Sequence, residues 1–310
     1  MIPTLDDLRA GGKAALARAL ATAEARPDAP AVADLLDEAA RCPRAHVLGL
    51  TGPPGVGKSS LCSALIGRFR SRGLGVGVIA VDPSSRRSGG ALLGDRTRFE
   101  VDPDDHGVFV RSMAARDRLG GLAAETYAAV ALMRALVDRL IVETVGVGQS
   151  ETDVVQVADL VLLCIQPGSG DSLQYMKAGI AEVPDLAVVT KADLGALAGE
   201  AKAEIEAAWQ LGAATAPDVR LVSAISGDGI DALLEALEAR WMKLGLDGSM
   251  PLRRAEQHRR WALELIRDRF GRTGAGLVRE RIEGEGGSAP FRTLLAASLD
   301  LDARLGVNRG

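Results

Sequence analysis

From Leu5 to Arg41 the chain is alanine-rich, with apolar residues at helical spacing. It is broken at Arg26-Pro27-Asp28-Ala29-Pro30, where two prolines in four residues stop a helix. Two N-terminal helices are therefore predicted. The pattern then changes to a short continuous apolar run, His46-Val-Leu-Gly-Leu-Thr51, followed by a glycine-rich turn and a helical stretch from Lys58 to Arg70. This reads as strand, loop, helix. Further strands are predicted at Val76 to Val81, Val108 to Arg111, Arg139 to Glu143, Leu160 to Ile165, Leu186 to Thr190 and Val219 to Val222, with helical stretches between most of them. Continuous rather than alternating apolar strands, separated by helices, mean a mostly parallel sheet covered on both faces. After Trp241 the strand pattern stops. Leu252 to Phe270 and Phe291 to Leu305 read as helices, joined by a segment that includes the flexible Glu283-Gly-Glu-Gly-Gly-Ser-Ala-Pro290.

The expected organisation is an N-terminal helical extension over residues 1–43, an α/β domain over 44–245 and a C-terminal helical arm over 246–310. Composition agrees with a globular chain: 310 residues, 47% hydrophobic and 25% charged, enough to bury a core and far from disordered or collagen-like sequences. No apolar stretch reaches the ~18 residues of a membrane span. The opening MIPTLDDLRAGG has no apolar signal-peptide core behind a basic start, so the cytoplasm is the expected location. With 37 basic against 41 acidic residues, net charge −4, the chain is not expected to favour nucleic acid or anionic membrane. Cys42, Cys62 and Cys164 are odd in number and widely spaced, and are expected to be buried free thiols.

Gly52, Pro53, Pro54, Gly55, Val56, Gly57, Lys58 and Ser59 fit the phosphate-loop pattern GxxxxGK[ST] at every fixed position, between a predicted strand and a helix that continues through Ser60. The chemistry requires those residue types. Glycines let backbone N–H groups wrap phosphates, Lys58 supplies an ammonium to the β and γ oxygens, and the Ser59 hydroxyl can ligate Mg²⁺. The expected fold class is therefore an α/β P-loop NTPase with helical extensions at both ends. Thr190-Lys191-Ala-Asp193, at the end of an apolar strand, matches [NT]KxD. A carboxylate there accepts hydrogen bonds from guanine N1–H and the exocyclic amine, groups that adenine lacks, while the lysine stem lies along the base. GTP is the expected nucleotide, with Ser223, Ala224 and Ile225 after the next strand completing the base site. A helix-capping role for Asp193 is the competing reading.

Between these motifs lie Val81-Asp-Pro-Ser-Ser85, Gly89-Gly-Ala-Leu-Leu-Gly-Asp95 and Glu143-Thr-Val-Gly-Val-Gly-Gln-Ser-Glu151. Together with GPPGVGKSS and TKAD, they resemble the GTPases that serve cobalamin-dependent acyl-CoA mutases, the methylmalonyl-CoA mutase chaperones, formerly described as arginine/ornithine transport kinases. The resemblance runs from about Arg44 to Ser226. It implies that Asp82, Asp95 and Glu143 serve Mg²⁺ alongside Ser59, with Glu143 by the γ-phosphate and Gly146 as backbone sensor of that phosphate; a turn former at Asp82, a helix cap at Asp95 and a satisfied strand-end acid at Glu143 are the competing readings. Water would be positioned by Glu143 or by Gln149, which is otherwise solvent-facing. Thr190 stands where asparagine is commoner, as it does in signal-recognition GTPases.

The stretch Gln166-Pro-Gly-Ser-Gly-Asp171-Ser-Leu-Gln-Tyr-Met-Lys177 resembles the family's third switch, with Lys177 facing nucleotide or mutase, or simply solvated. The implied function is a GTP-hydrolysing metallochaperone that gates cobalamin delivery to, and protects, an acyl-CoA mutase. Cobalamin would be met only through that partner, and the mutase's adenosyltransferase is a further candidate partner. The alternatives are a nickel-insertion accessory GTPase and a nucleotide-bound scaffold without significant hydrolysis. Asp104-Asp-His-Gly-Val-Phe109 approaches DxHxxG, a cobalamin-binding pattern, but ends in Phe109, and His46 and His258 lack ligand-spaced partners. Beyond the core, Trp261, Leu265, Ile266 and Phe270 form an apolar helical stripe that must be buried by the chain's own core or by a second copy. The resemblance favours the second copy, a homodimer through the C-terminal arm.

Overall fold

The computed structural model describes residues 2–83, 99, 101–102, 104–115, 122–144, 153–168, 184–212, 217–285 and 287–306, with backbone alone at 82–83, 115 and 211–212. Two compact units emerge. One comprises His46–Ala123 and Val137–Leu246; the other gathers Met1–Ala45, Ala124–Leu136 and Asp247–Gly310.

The α/β unit carries strands β1 (His46–Thr51), β2 (Val76–Pro83), β3 (Val108–Ala115), β4 (Arg139–Glu143), β5 (Leu160–Ile165), β6 (Leu186–Val189) and β7 (Asp218–Leu221). They form one seven-stranded sheet in the order β3-β2-β4-β1-β5-β6-β7. All neighbours are parallel. Strand β1 lies at the centre, with Leu50 opposite Glu143 on one side and Leu162 on the other. Its continuous apolar run reflects burial on both faces, as in β4, β5 and β6. Strands β2 and β3 run beyond the predicted Val81 and Arg111, because their ladder continues through Asp82 opposite Ala114 and Pro83 opposite Ala115. Arg111 and Ser112 interrupt the apolar pattern of this edge strand without ending its backbone pairing.

Helix α3 (Lys58–Ser71) follows β1, while α5 (Ala196–Gly212) and α6 (Ile230–Leu246) follow β6 and β7. Aspartates at the ends of the strands remote from the phosphate loop hold the sheet in register. Asp159 Oδ2 accepts from Val47 N at 2.8 Å, Asp185 Oδ2 from Val161 N at 2.8 Å and Asp138 Oδ2 from Gly75 N at 2.7 Å. The near-match at Asp104-Asp-His-Gly is a structural turn. Both Asp105 oxygens receive the Arg70 guanidinium at 2.8 Å, and a Cβ on Gly107 would lie 2.1 Å from that group.

The helical unit comprises α1 (Leu5–Ala25), α2 (Pro30–Arg41), α4 (Ala124–Leu136), α7 (Ser249–Glu285) and α8 (Pro290–Leu305). The two prolines separate α1 from α2 as expected, with Pro30 in the first turn of α2, where its missing N–H does no harm. Helix α7 does not stop at Phe270. It kinks at Gly271, φ +71°, and resumes to Glu285, so the break predicted over 283–290 shrinks to a few residues before Pro290.

The N-terminus of α8 is capped across the unit by Asp37 of α2, whose carboxylate accepts from Phe291 N at 2.9 Å and Arg292 N at 3.0 Å. Burial raises the pKa of this carboxyl despite those two donors. The apolar stripe of α7 finds partners in its own unit. Trp261 stacks on Tyr127 of α4 at 5.0 Å and meets Phe291 of α8 at 4.8 Å, and Ile266 is buried while Leu265 and Phe270 are half-buried. The stripe is thus no argument for a second copy. Cys62 and Cys164 are buried free thiols, but Cys42, just past the end of α2, is exposed, contrary to expectation. Among the described residues no helix is long and apolar enough to cross a membrane.

Candidate nucleotide site

The glycine-rich turn leaves the C-terminal end of central strand β1 and enters α3 at Lys58, so the first N–H groups of α3 face the loop. Two glycines are required by geometry. Gly52 has φ +137°, and a Cβ there would lie 2.2 Å from Cys164 O at the end of β5. Gly57 caps α3 in the left-handed conformation at φ +93°. Lys58 is buried with its Nζ turned back over the loop, donating to Gly52 O at 2.6 Å and Pro53 O at 2.8 Å. Val56 is buried, Pro54 and Gly55 are exposed, and Ser60 lies on the exposed side of α3.

Glu143, buried at the end of β4, accepts from the half-buried Ser59 hydroxyl at 2.8 Å through Oε1. The parallel pairing of β1 with β4 brings these two together across 84 positions of sequence. Cys164, behind the loop, is no candidate nucleophile, since burial pushes its thiol up to about 12.

At the end of β6 the Thr190 hydroxyl lies 2.6 Å from Val56 O and 2.9 Å from Ile165 O, tying the second motif to the phosphate loop. Lys191 has the left-handed φ of +57° and donates through Nζ to Gln166 Oε1 at 2.6 Å. Asp193, exposed on a 3₁₀ turn, accepts the Ser223 hydroxyl at 2.6 Å. Its carboxylate is thus held by a side chain from the β7 loop rather than by a helix N–H, which disfavours the capping reading. Buried Ser223 also receives Ile225 N at 3.3 Å and Ser226 N at 3.2 Å, while the Ile225 side chain stands 87% exposed beside Ala224. Sequence reasoning missed the links Thr190 to Val56 and Lys191 to Gln166; no local pattern signals either. Asp95, Gly146, Gln149, Asp171 and Lys177 lie outside the described residues, as does the side chain of Asp82.

A parallel sheet with GxxxxGKS between its central strand and the next helix defines a P-loop NTPase. Residues 16–275 match the family described as methylmalonyl Co-A mutase-associated GTPase MeaB, and the chain belongs to that family. A provisionally named GTPase of Pyrococcus horikoshii is 55% identical over 150 residues, 48% of this chain; the chain spans about half of that relative's length (47%). Another from Caulobacter vibrioides is 39% identical over 289 residues, covering 87% of each chain. Among solved structures, an LAO/AO transport system kinase aligns over 96% of both chains at 28% identity and a TM-score of 0.64.

Proposed function

We propose that this chain is a GTP-binding and GTP-hydrolysing chaperone whose nucleotide state gates cobalamin delivery to, and protection of, an acyl-CoA mutase. The observation that carries the chemical half is the juxtaposition of Lys58, Ser59 and Glu143 at one sheet edge, Ser59 Oγ lying 2.8 Å from Glu143 Oε1. Membership in a mutase-associated family supports the biological half.

The reaction is GTP plus water to GDP plus phosphate. Backbone N–H groups from Gly55 to Ser60 hold the phosphates, and Lys58 exchanges its two loop carbonyls for β and γ oxygens. The donor set suits Mg²⁺, a hard cation that takes oxygen ligands, since Ser59 offers a hydroxyl and Glu143 a carboxylate side by side. Ser59 and Glu143, with Asp82 and Asp95, would hold it, and it supplies charge neutralisation on the transferred phosphoryl. Glu143 or Gln149 positions the water, and Gly146 senses the γ-phosphate. Thr190, Lys191 and Asp193 hold guanine, with Ser223 aligning the Asp193 carboxylate and Ile225 flanking the base. Gln166, Asp171 and Lys177 belong to a switch that Lys191 links to the base site.

The test measures binding of the chain, loaded with GDP or a non-hydrolysable GTP analogue, to the methylmalonyl-, isobutyryl- and hydroxyisobutyryl-CoA mutases. One mutase should bind with affinities differing about 5- to 150-fold between the two states, the usual range of site-to-site coupling. Single-turnover GTP hydrolysis should change when that mutase is added. Indifference of all three mutases to nucleotide, with no effect on hydrolysis, overturns the gating reading.

Exposed Leu277 (57%) on α7, with Leu299 (48%) and Leu305 (61%) on α8, support a homodimer through the C-terminal arm. Light scattering should give twice the chain mass. Leu299→Glu should give a monomer that still binds GTP, whereas a wild-type chain that stays monomeric at high concentration rejects the dimer.

A further inference from the structure

Strand β6 lies between β5 and β7 in the sheet, and the two charged side chains of the Thr190-Lys191-Ala-Asp193 motif are gripped from opposite neighbours. Asp193 accepts the Ser223 hydroxyl at 2.6 Å from the β7 side, and Lys191 donates through Nζ to Gln166 Oε1 at 2.6 Å on the β5 side. The serine aligns the carboxylate. The glutamine is its counterpart for the ammonium.

The Gln166 bond is not needed to fasten the strand ends. Thr190 N already donates to Ile165 O at 2.8 Å, the Thr190 hydroxyl lies 2.9 Å from the same oxygen, and Ile165 pairs with Val189 in the ladder. What the extra bond fixes is the Lys191 side chain, whose four-carbon stem otherwise samples many rotamers. Backbone geometry points the same way. Among the described residues Lys191 is the one non-glycine residue with a left-handed φ, +57°, and it caps the 3₁₀ turn that carries Asp193. Such a conformation costs free energy in a residue with a Cβ, and it gathers at ligand clamps.

The contact is chemically specific. An ammonium has three donors and no acceptor, so Gln166 must turn its carbonyl oxygen to it, and a neutral amide steadies the charge without cancelling it. Both side chains are half-buried, which limits competition from water.

We propose that Gln166 is a positioning residue for guanine: it holds Lys191 so that the lysine stem already lies where the base will stack. Binding then orders one fewer long side chain. Gln166 can play that part only if the motif reads guanine, the reading on which this role rests. Because it touches the base motif rather than a phosphate-binding group, its effect falls on GDP and GTP alike.

The test is calorimetric titration of the full-length chain with GDP, the non-hydrolysable GTP analogue GppNHp, GTP and ATP, each with Mg²⁺. Gln166→Leu, which keeps the size and removes the acceptor, should weaken GDP and GppNHp by the same factor, about three- to tenfold, the scale for one long side chain ordered on binding. Gln166→Glu keeps an oxygen on the ammonium and should bind both at least as tightly as wild type. Lys191→Met retains an apolar stem without the ammonium, and in that background Gln166→Leu should add less than about twofold, since its partner is gone. Far-UV circular dichroism checks that each variant folds. A wild-type chain that binds ATP as tightly as GTP removes the guanine site and, with it, the role of Gln166. Where wild type prefers GTP, four results would each overturn the positioning role alone: parental affinity in Gln166→Leu, an equal loss in Gln166→Glu, unequal losses for GDP and GppNHp, or an undiminished Gln166→Leu effect beside Lys191→Met.

Discussion

Lys58→Ala is expected to lower single-turnover GTP hydrolysis by about a hundredfold or more, the scale for losing one preorganised donor from charge that develops in a transition state. GTP binding should weaken with it. The Lys58 ammonium already reaches back over the loop, 2.6 Å from Gly52 O and 2.8 Å from Pro53 O, across the backbone proposed to face the phosphates. Losing those two hydrogen bonds costs stability as well, on the order of 1–3 kcal/mol because one acceptor is buried.

The two effects separate in a melting experiment with and without GTP. A ligand that binds only the folded state stabilises it by RT ln(1 + [L]/Kd), so wild-type melting should rise with GTP while that of the variant stays nearly flat. Lys58→Arg should not restore turnover, since a planar fork does not replace a compact ammonium folded back over the loop. Parental GTP binding and turnover in Lys58→Ala would mean that this loop does not serve the nucleotide.

Strands β1, β4, β5 and β6 were legible because a strand buried on both faces leaves an uninterrupted apolar run, and the phosphate loop because its fixed positions fall between such a run and a helix. Contacts between distant segments left no comparable trace. Helix α4 sits in sequence between β3 and β4, yet it groups with the terminal helices, through contacts such as Tyr127 on Trp261 that no periodicity reveals. The stripe on α7 announced that something must cover it without saying what, and Phe291, Tyr127 and their neighbours answer from within the chain. The reason that Gly52 is glycine is likewise remote, the Cys164 carbonyl at the end of β5. Lys191 on Gln166 joins two motifs that were read separately, 25 residues apart.

Asp193→Asn should weaken GTP about a hundredfold and move preference towards xanthosine triphosphate, an inversion that only a base-reading carboxylate produces. The carboxylate offers acceptors to guanine N1–H and its exocyclic amine, and hydrogen bonds to a charged partner carry about 1.5–3 kcal/mol each. In the variant an amide N–H₂ would face that amine, donor against donor, whereas xanthine presents a carbonyl at the same place. Ser223 makes the exchange orderly. Its hydroxyl donates to Asp193 Oδ1 at 2.6 Å, and the same donor should hold the amide oxygen of asparagine there, turning the amide nitrogen to the base. Ser223→Ala is then the control for positioning. Removing that hydroxyl should weaken GTP about tenfold, from one lost hydrogen bond to a charged group, while GTP stays preferred over xanthosine triphosphate. In the wild-type chain GTP should exceed ATP by a wide margin, since a site built to pair polar groups rejects a base that leaves them unpaired. Equal affinity for ATP and GTP in the parent, or an Asp193→Asn variant with parental GTP affinity and no gain for xanthosine triphosphate, would remove Asp193 from the base site and leave its bond to Ser223 as loop structure alone.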